Sequence, residues 1–561
     1  MRATNMTKSI SIARSLLAPM LALFLAAAAH AAAPGITGTG TTTGTFNLTA
    51  QTAYLNQPDG NSVYSWGYGC ASGSTPTFVP AAITTATCDT MQVPGPTLVV
   101  TEGQTVTVTL TNNLPTPAGN TSILFPGFVV TATGGTPGLL TTEAAPGGTV
   151  TYTFVANSPG THAYYSGTQS DLQVEMGMYG AVVVLPSSIP AACSAGLPLT
   201  APGNNAKAKA AWGETDFRLA AAAFDNPKTC YDREYLFQWA EMDLNIHNKA
   251  LAQVTALGAC AAGAPGCSLE VPTEPYHPAY FLINGRSMPD LMDANYAPEY
   301  PHQPYNGDPH MHPGEMTLIR TIGQGRWQHP FHEHANHVRI LARDGNMQLA
   351  PDGSDLAGLL MFNTDTTPGE SFDGIFYFTG RGLNWDPYGH LPVSAVGDKN
   401  ATLPCTPDAN GYNTAGADGL AYQRINYFEW CQDHMKPLEV SPIGDVPAGG
   451  PATLPNPNIF TNGPWYGGTP YLGPDANVRG GGTQNCLSSA AGPNGTTNAS
   501  TYGCSPLQPF NIQANPGNER GWAYMWHSHN EREITTNNVF PGGMLMMMLV
   551  DSREFVIDET N

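Results

Sequence analysis

The chain has 561 residues, with 22 Lys and Arg against 43 Asp and Glu and a formal net charge of −21. A surface this acidic lacks the basic patch that counterion release requires, which argues against nucleic acid and anionic lipid as partners and leaves metals and small substrates open. With 61 Gly, 49 Pro and only 12% charged residues, the composition excludes a solvated disordered chain and suits a turn-rich β protein of about two to four domains.

Residues 1–31 read as a signal peptide. Arg2, Lys8 and Arg14 precede an apolar run, Leu16 to Ala29, that ends in the small-residue pattern Ala29-His30-Ala31. The run is too short for a membrane span, and no later stretch reaches the roughly 18 apolar residues a spanning helix needs. The expectation is an exported chain, periplasmic or extracellular, with no membrane span.

From 35 to 190 short β-rich runs alternate with Gly/Pro turns. "TLVVTEGQTVTVTLTNNLP" (97–115), "GGTVTYTFVANSPGTHAYYSG" (147–167) and "MYGAVVVLP" (178–186) carry the period-two, β-branched pattern of half-buried strands, which predicts a first β-sandwich. Residues 191–230, rich in Ala, Pro, Gly and Asn, read as a linker. Strand patterning resumes at "YLFQWAEMDLNIHN" (235–248), "YFLING" (280–285), "GEMTLIRTIG" (314–323) and "HVRILARDG" (337–345), and returns at "GWAYMWHSH" (521–529) and "GGMLMMMLVDS" (542–552). A second sandwich over 231–553 follows, interrupted at 381–513 by a loop-rich insertion. Such a long structureless stretch counts against a domain unless something pins it. The ten cysteines provide the pins: in order they fall into neighbours, Cys70/Cys88, Cys193/Cys230, Cys260/Cys267, Cys405/Cys431 and Cys486/Cys504. In an oxidising compartment these read as disulfides, the connectivity being open. None has the C-x2-C spacing of a zinc site.

Seven of the 15 histidines lie between His302 and His337, and His527 and His529 form a further pair. On a strand, positions i and i+2 share a face, so His332/His334 and His527/His529 each present two imidazoles in one direction. Adjacent strands would bring four nitrogens together. Imidazole donors suit copper, zinc, iron and nickel, and the scarcity of clustered carboxylates argues against calcium or magnesium. The methionines Met176, Met178, Met544, Met546, Met547 and Met548 read as sandwich core in preference to a soft-metal site.

"QHPFHEHANHVRIL" (328–341) resembles the histidine-rich motif of multicopper oxidases, and "WAYMWHSHNERE...GGM" (522–544) resembles their terminal motif. "VPGPTLVVTEGQTVTVTLTNNLP" (93–115), "GMYGAVVVLP" (177–186), "FLINGRSMPD" (281–290), "HPGEMTLIRTIGQG" (312–325) and "DTTPGESFD" (365–373) fill further family positions, in an order nearest to the two-domain members. The resemblance implies an all-β fold of tandem cupredoxin-like Greek-key sandwiches and a copper cofactor. It makes His332 a type 2 ligand, His334, His527 and His529 type 3 ligands, and His329 the first type 1 ligand. The departures are equally specific. Ser528 stands where the family has the cysteine of the blue site, Glu533 where it has the second type 1 histidine, and Met544 at the axial position. "LFPG" (124–127) replaces H-W-H-G and "YYSG" (164–167) replaces Y-H-S-H, so Leu124, Pro126, Tyr165 and Gly167 occupy the cluster-ligand positions of the first half.

The resemblance therefore implies no type 1 copper and no complete three-copper cluster. His162, His310 and His312 are either recruits to the site or ordinary structural residues, and His337 is a candidate supporting group. Three functions follow: a copper oxidoreductase acting on a small molecule or metal ion, with O2 a candidate partner, through His332, His334, His527 and His529; a non-catalytic copper-binding protein; or a secreted structural protein that kept only the scaffold. Glu333, Glu531 and Glu533 are candidates to move protons.

Overall fold

The computed structural model describes residues 33–194 except 41, 216–378 except 313 and 354, 406–413 except 410, 431, 469–471, 521–551 and 557. The proposed signal peptide and nearly all of the 381–513 segment lie outside the described residues, as does the Cys486/Cys504 pair.

Two β-sandwiches account for most of the described chain. In the first, one sheet orders its strands Gly160–Tyr165, Tyr179–Leu185, Leu98–Thr101, Gly35–Thr37, Thr77–Val79, and the facing sheet orders Ser62–Cys70, Thr43–Asn56, Thr105–Asn112, Thr149–Val155, Thr131–Gly134. Thr105–Asn112 shows why the sequence does this: its burial alternates without a break, with Val106, Val108 and Leu110 inside and the threonines between them outside. Met176 and Met178 are fully buried in the same core.

The second sandwich packs Tyr280–Ile283, Arg233–Met242, Met316–Gly323, Ser371–Tyr377, Val338–Arg343 and Asn346–Met347 against a sheet ordered His310–Met311, Leu545–Asp551, Gly521–Ser528, His329–Glu333, Asn363–Thr366. Its core holds Phe237, Trp239, Phe331, Trp526, Met544, Met546 and Met548. Met547 is partly buried beside Ala523 and Leu549. All six methionines singled out by the sequence are packing residues. Arg233–Met242 is buried at every position, because it runs parallel to Met316–Gly323 in the sheet interior and both of its faces are covered.

One reading is corrected. The run 235–248 is not a single strand: the strand ends at Met242 and a helix, Leu244–Leu257, begins. The Asp243 side chain accepts the Asn245 N–H at 2.8 Å and caps the helix. Gly258, at φ +56, ends it by bonding back to the Val254 carbonyl. Ile246 and Ala250, one turn apart, bury into the core of the first sandwich. The alternation that suggested a strand is overridden by that cap.

The sandwiches are joined by buried polar contacts. Asp373 accepts from the Thr161 N–H at 3.0 Å and from its hydroxyl at 2.6 Å. Arg320, itself buried, donates to Asp373 at 3.1 Å and to Glu234 at 2.9 Å. At Gly285, φ +81, an added Cβ would lie 2.1 Å from the Val93 carbonyl oxygen, so only glycine lets the two units approach there. Disulfides Cys70–Cys88, Cys193–Cys230 and Cys260–Cys267 are formed, and Cys431 is also disulfide-bonded. Among the described residues no helix is long and apolar enough to cross a membrane.

Candidate metal centre

The strands His329–Glu333 and Gly521–Ser528 are antiparallel neighbours in a register that sets His332 directly opposite His527. Phe331 and Trp526 alternate with these histidines and point into the core, so the imidazoles are directed to the other face of the sheet. His334 lies one bend beyond its strand. Its N–H reaches the Met525 carbonyl at 3.3 Å, and Trp526 donates its indole N–H to the His334 carbonyl at 3.0 Å. The next residue, Ala335, is held at φ +84, a left-handed conformation that a side chain resists.

Ring nitrogens of His332, His334 and His527 all lie within 4.8 Å of one another. Nε2 of His334 is 3.2 Å from Nε2 of His527. His529 joins the group, its ring centroid 4.8 Å from that of His332 and 5.6 Å from that of His527. His332 and His527 are buried, whereas His529 is exposed.

The surroundings fix which nitrogen each ring offers. His332 Nδ1 is 2.7 Å from the Phe362 carbonyl and His527 Nδ1 is 2.6 Å from the Ser528 carbonyl. A carbonyl only accepts, so both Nδ1 atoms carry the proton and both Nε2 atoms present lone pairs. His334 Nδ1 is buried with no partner among the described residues. Burial, reinforced by the neighbouring rings His527 and His529, pulls the His332 imidazolium down to about 4. Burial and the three other rings pull His334 down to about 3. His527 is lowered too, again chiefly by burial. Neutral imidazoles with converging lone pairs are the form in which histidine binds a metal, and this donor set fits a late first-row ion.

His329 stands apart. It is fully buried, with Nε2 2.8 Å from Glu241 and Nδ1 2.8 Å from Glu533. Burial opposes its charge, but the hydrogen bonds and charges of the two carboxylates prevail and lift it to about 9. Ser528 donates its hydroxyl to the same Glu533 oxygen that faces His329, Asn530 donates to the other at 2.8 Å, and the buried Met544 N–H bonds the Glu533 carbonyl at 2.8 Å. The four positions expected around a blue copper thus adjoin one another, and a proton-bearing ring bridged by two carboxylates fills them. Glu241 carried no signal in the sequence, lying 88 positions from His329 on a strand that carries other buried polar residues, Arg233, Glu234 and Gln238.

The remaining candidates are elsewhere. His310 is buried on the far edge strand of the sheet, with Nε2 3.3 Å from Asp308, and His312 is buried after it. His162 bonds the Ser158 carbonyl at 2.8 Å and packs on Phe128. His337 packs on Phe362, the residue whose carbonyl orients His332. Glu333 is buried in the core and pushed well above the usual carboxylate range by that burial; Glu531 is exposed, 4.0 Å from His529. In the first sandwich Leu124 and Tyr165 bridge each other, and a Cβ on Gly167 would lie 2.7 Å from the Leu124 side chain. An aliphatic side chain fills that corner.

Residues 79–188, most of the first sandwich, match the multicopper oxidase family model. The match covers about a fifth of the chain and lies within the first sandwich. The chain is 36% identical over 116 residues to Laccase-1 of Emericella nidulans, a match covering 20% of the chain and 17% of that protein. The chain thus spans under a fifth of the curated relative's length. Among solved structures, a blue copper oxidase from Nitrosomonas europaea is similar at TM-score 0.37 and 19% identity, over 60% of this chain and 77% of that one. A laccase from Botrytis aclada is similar at TM-score 0.34 and 19% identity, over 60% and 47%.

Proposed function

We propose that the chain is an exported copper-dependent oxidoreductase whose copper is held by His332, His334 and His527, with His529 as the fourth imidazole at the open side. The observation that carries this reading is the convergence of three ring nitrogens within 4.8 Å from two paired strands. Copper there would supply Lewis acidity and one-electron chemistry. The chain's own residues prepare the place. The Phe362 and Ser528 carbonyls orient two rings, burial keeps three neutral, and the exposed His529 edge admits a small reductant, organic or metallic, or O2.

A blue centre does not form at His329 in this reading. Both ring nitrogens are engaged by carboxylates, and Ser528 supplies no soft sulfur. Electrons then enter at the imidazole cluster itself. The three formed disulfides support export to an oxidising compartment.

Copper content, optical absorption and electron spin resonance of the purified full chain and of His332→Ala test the proposal. Bound copper without an intense blue band, lost in the variant, is the expected result; a blue band, or copper unaffected by the substitution, would refute it. Oxygen uptake with cuprous, ferrous or phenolic reductants then separates an oxidase from a copper carrier, which would hold the same ion without turnover.

A further inference from the structure

The register that pairs His332 with His527 also pairs His332, on its other side, with Asn363. Residues directly opposite in antiparallel strands share a face. Asn363, His332 and His527 therefore form a row across the sheet on the face away from Phe331 and Thr364, both fully buried. The preceding residue, Phe362, already serves the centre through its carbonyl on His332 Nδ1. The Asn363 side-chain oxygen is buried and has no hydrogen-bond partner among the described residues. A buried acceptor left unpaired is destabilising, and an aliphatic side chain of the same size would avoid that penalty. The pairing with His332 sets this unpaired acceptor in the same row as the imidazoles.

We propose that Asn363 Oδ1 accepts a hydrogen bond from an O–H or N–H donor bound at the imidazole cluster, and so makes the centre prefer protic ligands over anions that carry no hydrogen. This rests on the reading of the cluster as a copper centre. The bond orients the ligand and leaves the metal-holding imidazoles untouched.

The test compares the full chain with Asn363→Leu and Asn363→Asp, each loaded with copper, by copper stoichiometry, azide titration followed optically and by spin resonance, and thermal unfolding of the copper-free proteins. Azide carries no hydrogen and competes with water. In Asn363→Leu it should bind about fivefold more tightly, the ratio corresponding to one hydrogen bond of ordinary net strength, with copper stoichiometry unchanged and copper-free stability equal or higher. Asn363→Asp, which keeps an acceptor, should leave azide no tighter than in the unsubstituted protein. Unchanged azide affinity in Asn363→Leu overturns the proposal, and so does a loss of copper-free stability, which would mean that the oxygen serves a structural partner. If the unsubstituted chain binds no copper, both this inference and the metal reading fall; if it binds copper and only the azide response is absent, the inference alone falls.

Discussion

His329 takes its charge from two carboxylate neighbours. Between Glu241 and Glu533 its cationic form is favoured, and breaking a buried pair of this kind typically costs about 3–5 kcal/mol. Its raised value near 9 gives the sign of the pH effect. The folded state binds the proton more tightly than the unfolded chain, so the stabilisation is complete below about 6.5 and disappears as pH rises through 9. Glu175, which burial lifts to about 8, loses stability across part of the same window, so comparison with a variant is needed to isolate His329. Glu533→Gln should therefore be less stable than the unsubstituted chain at pH 6, with the gap closing by pH 9.5 in chemical denaturation. Ala335 offers a second test. Its left-handed backbone costs about 1–2 kcal/mol that glycine would not incur, so Ala335→Gly should raise the melting temperature of the copper-free protein. An unchanged or lower value would mean that lost backbone entropy outweighs the relief.

At the scale of elements, the strands were legible because alternation over Thr105–Asn112, Thr149–Val155 and Gly521–Ser528 coincides with observed burial or pairing. The H-x-H spacing pointed to one imidazole face by the period of two within a strand, but only His332 and His527 lie within their strands, and His334 and His529 follow just beyond them. The helix Leu244–Leu257 was not legible. The decisive signal was a single aspartate, Asp243, at the boundary between strand and helix. Asp243 caps the helix and also accepts the His277 N–H at 2.7 Å, so Asp243→Ala should cost about 1–2 kcal/mol, measured as a shift in the denaturation midpoint at constant slope. A change in slope would point instead to the helix detaching from the first sandwich. Asn363 was equally invisible, because nothing in "FNTDT" marks an asparagine whose partner across the sheet is a histidine 31 positions earlier.

For the whole molecule, the family motifs pointed to the architecture, but the join between the sandwiches depends on charges that motifs do not record. Asp373, Arg320, Glu234 and Thr161 are buried together, where removing one partner leaves a buried charge uncompensated. Asp373→Ala leaves Arg320 with one carboxylate fewer and should split thermal unfolding into two transitions by calorimetry. A single transition, merely shifted, would show that the apolar contacts and the helix suffice to couple the units.

His334 and His527, whose ring nitrogens meet, are 193 positions apart in the chain. A polypeptide emerging from synthesis displays the first pair of imidazoles long before the second exists, and until the closing strand docks it has only half a chelate. An ion that needs rings from both pairs would therefore be held only by the finished fold.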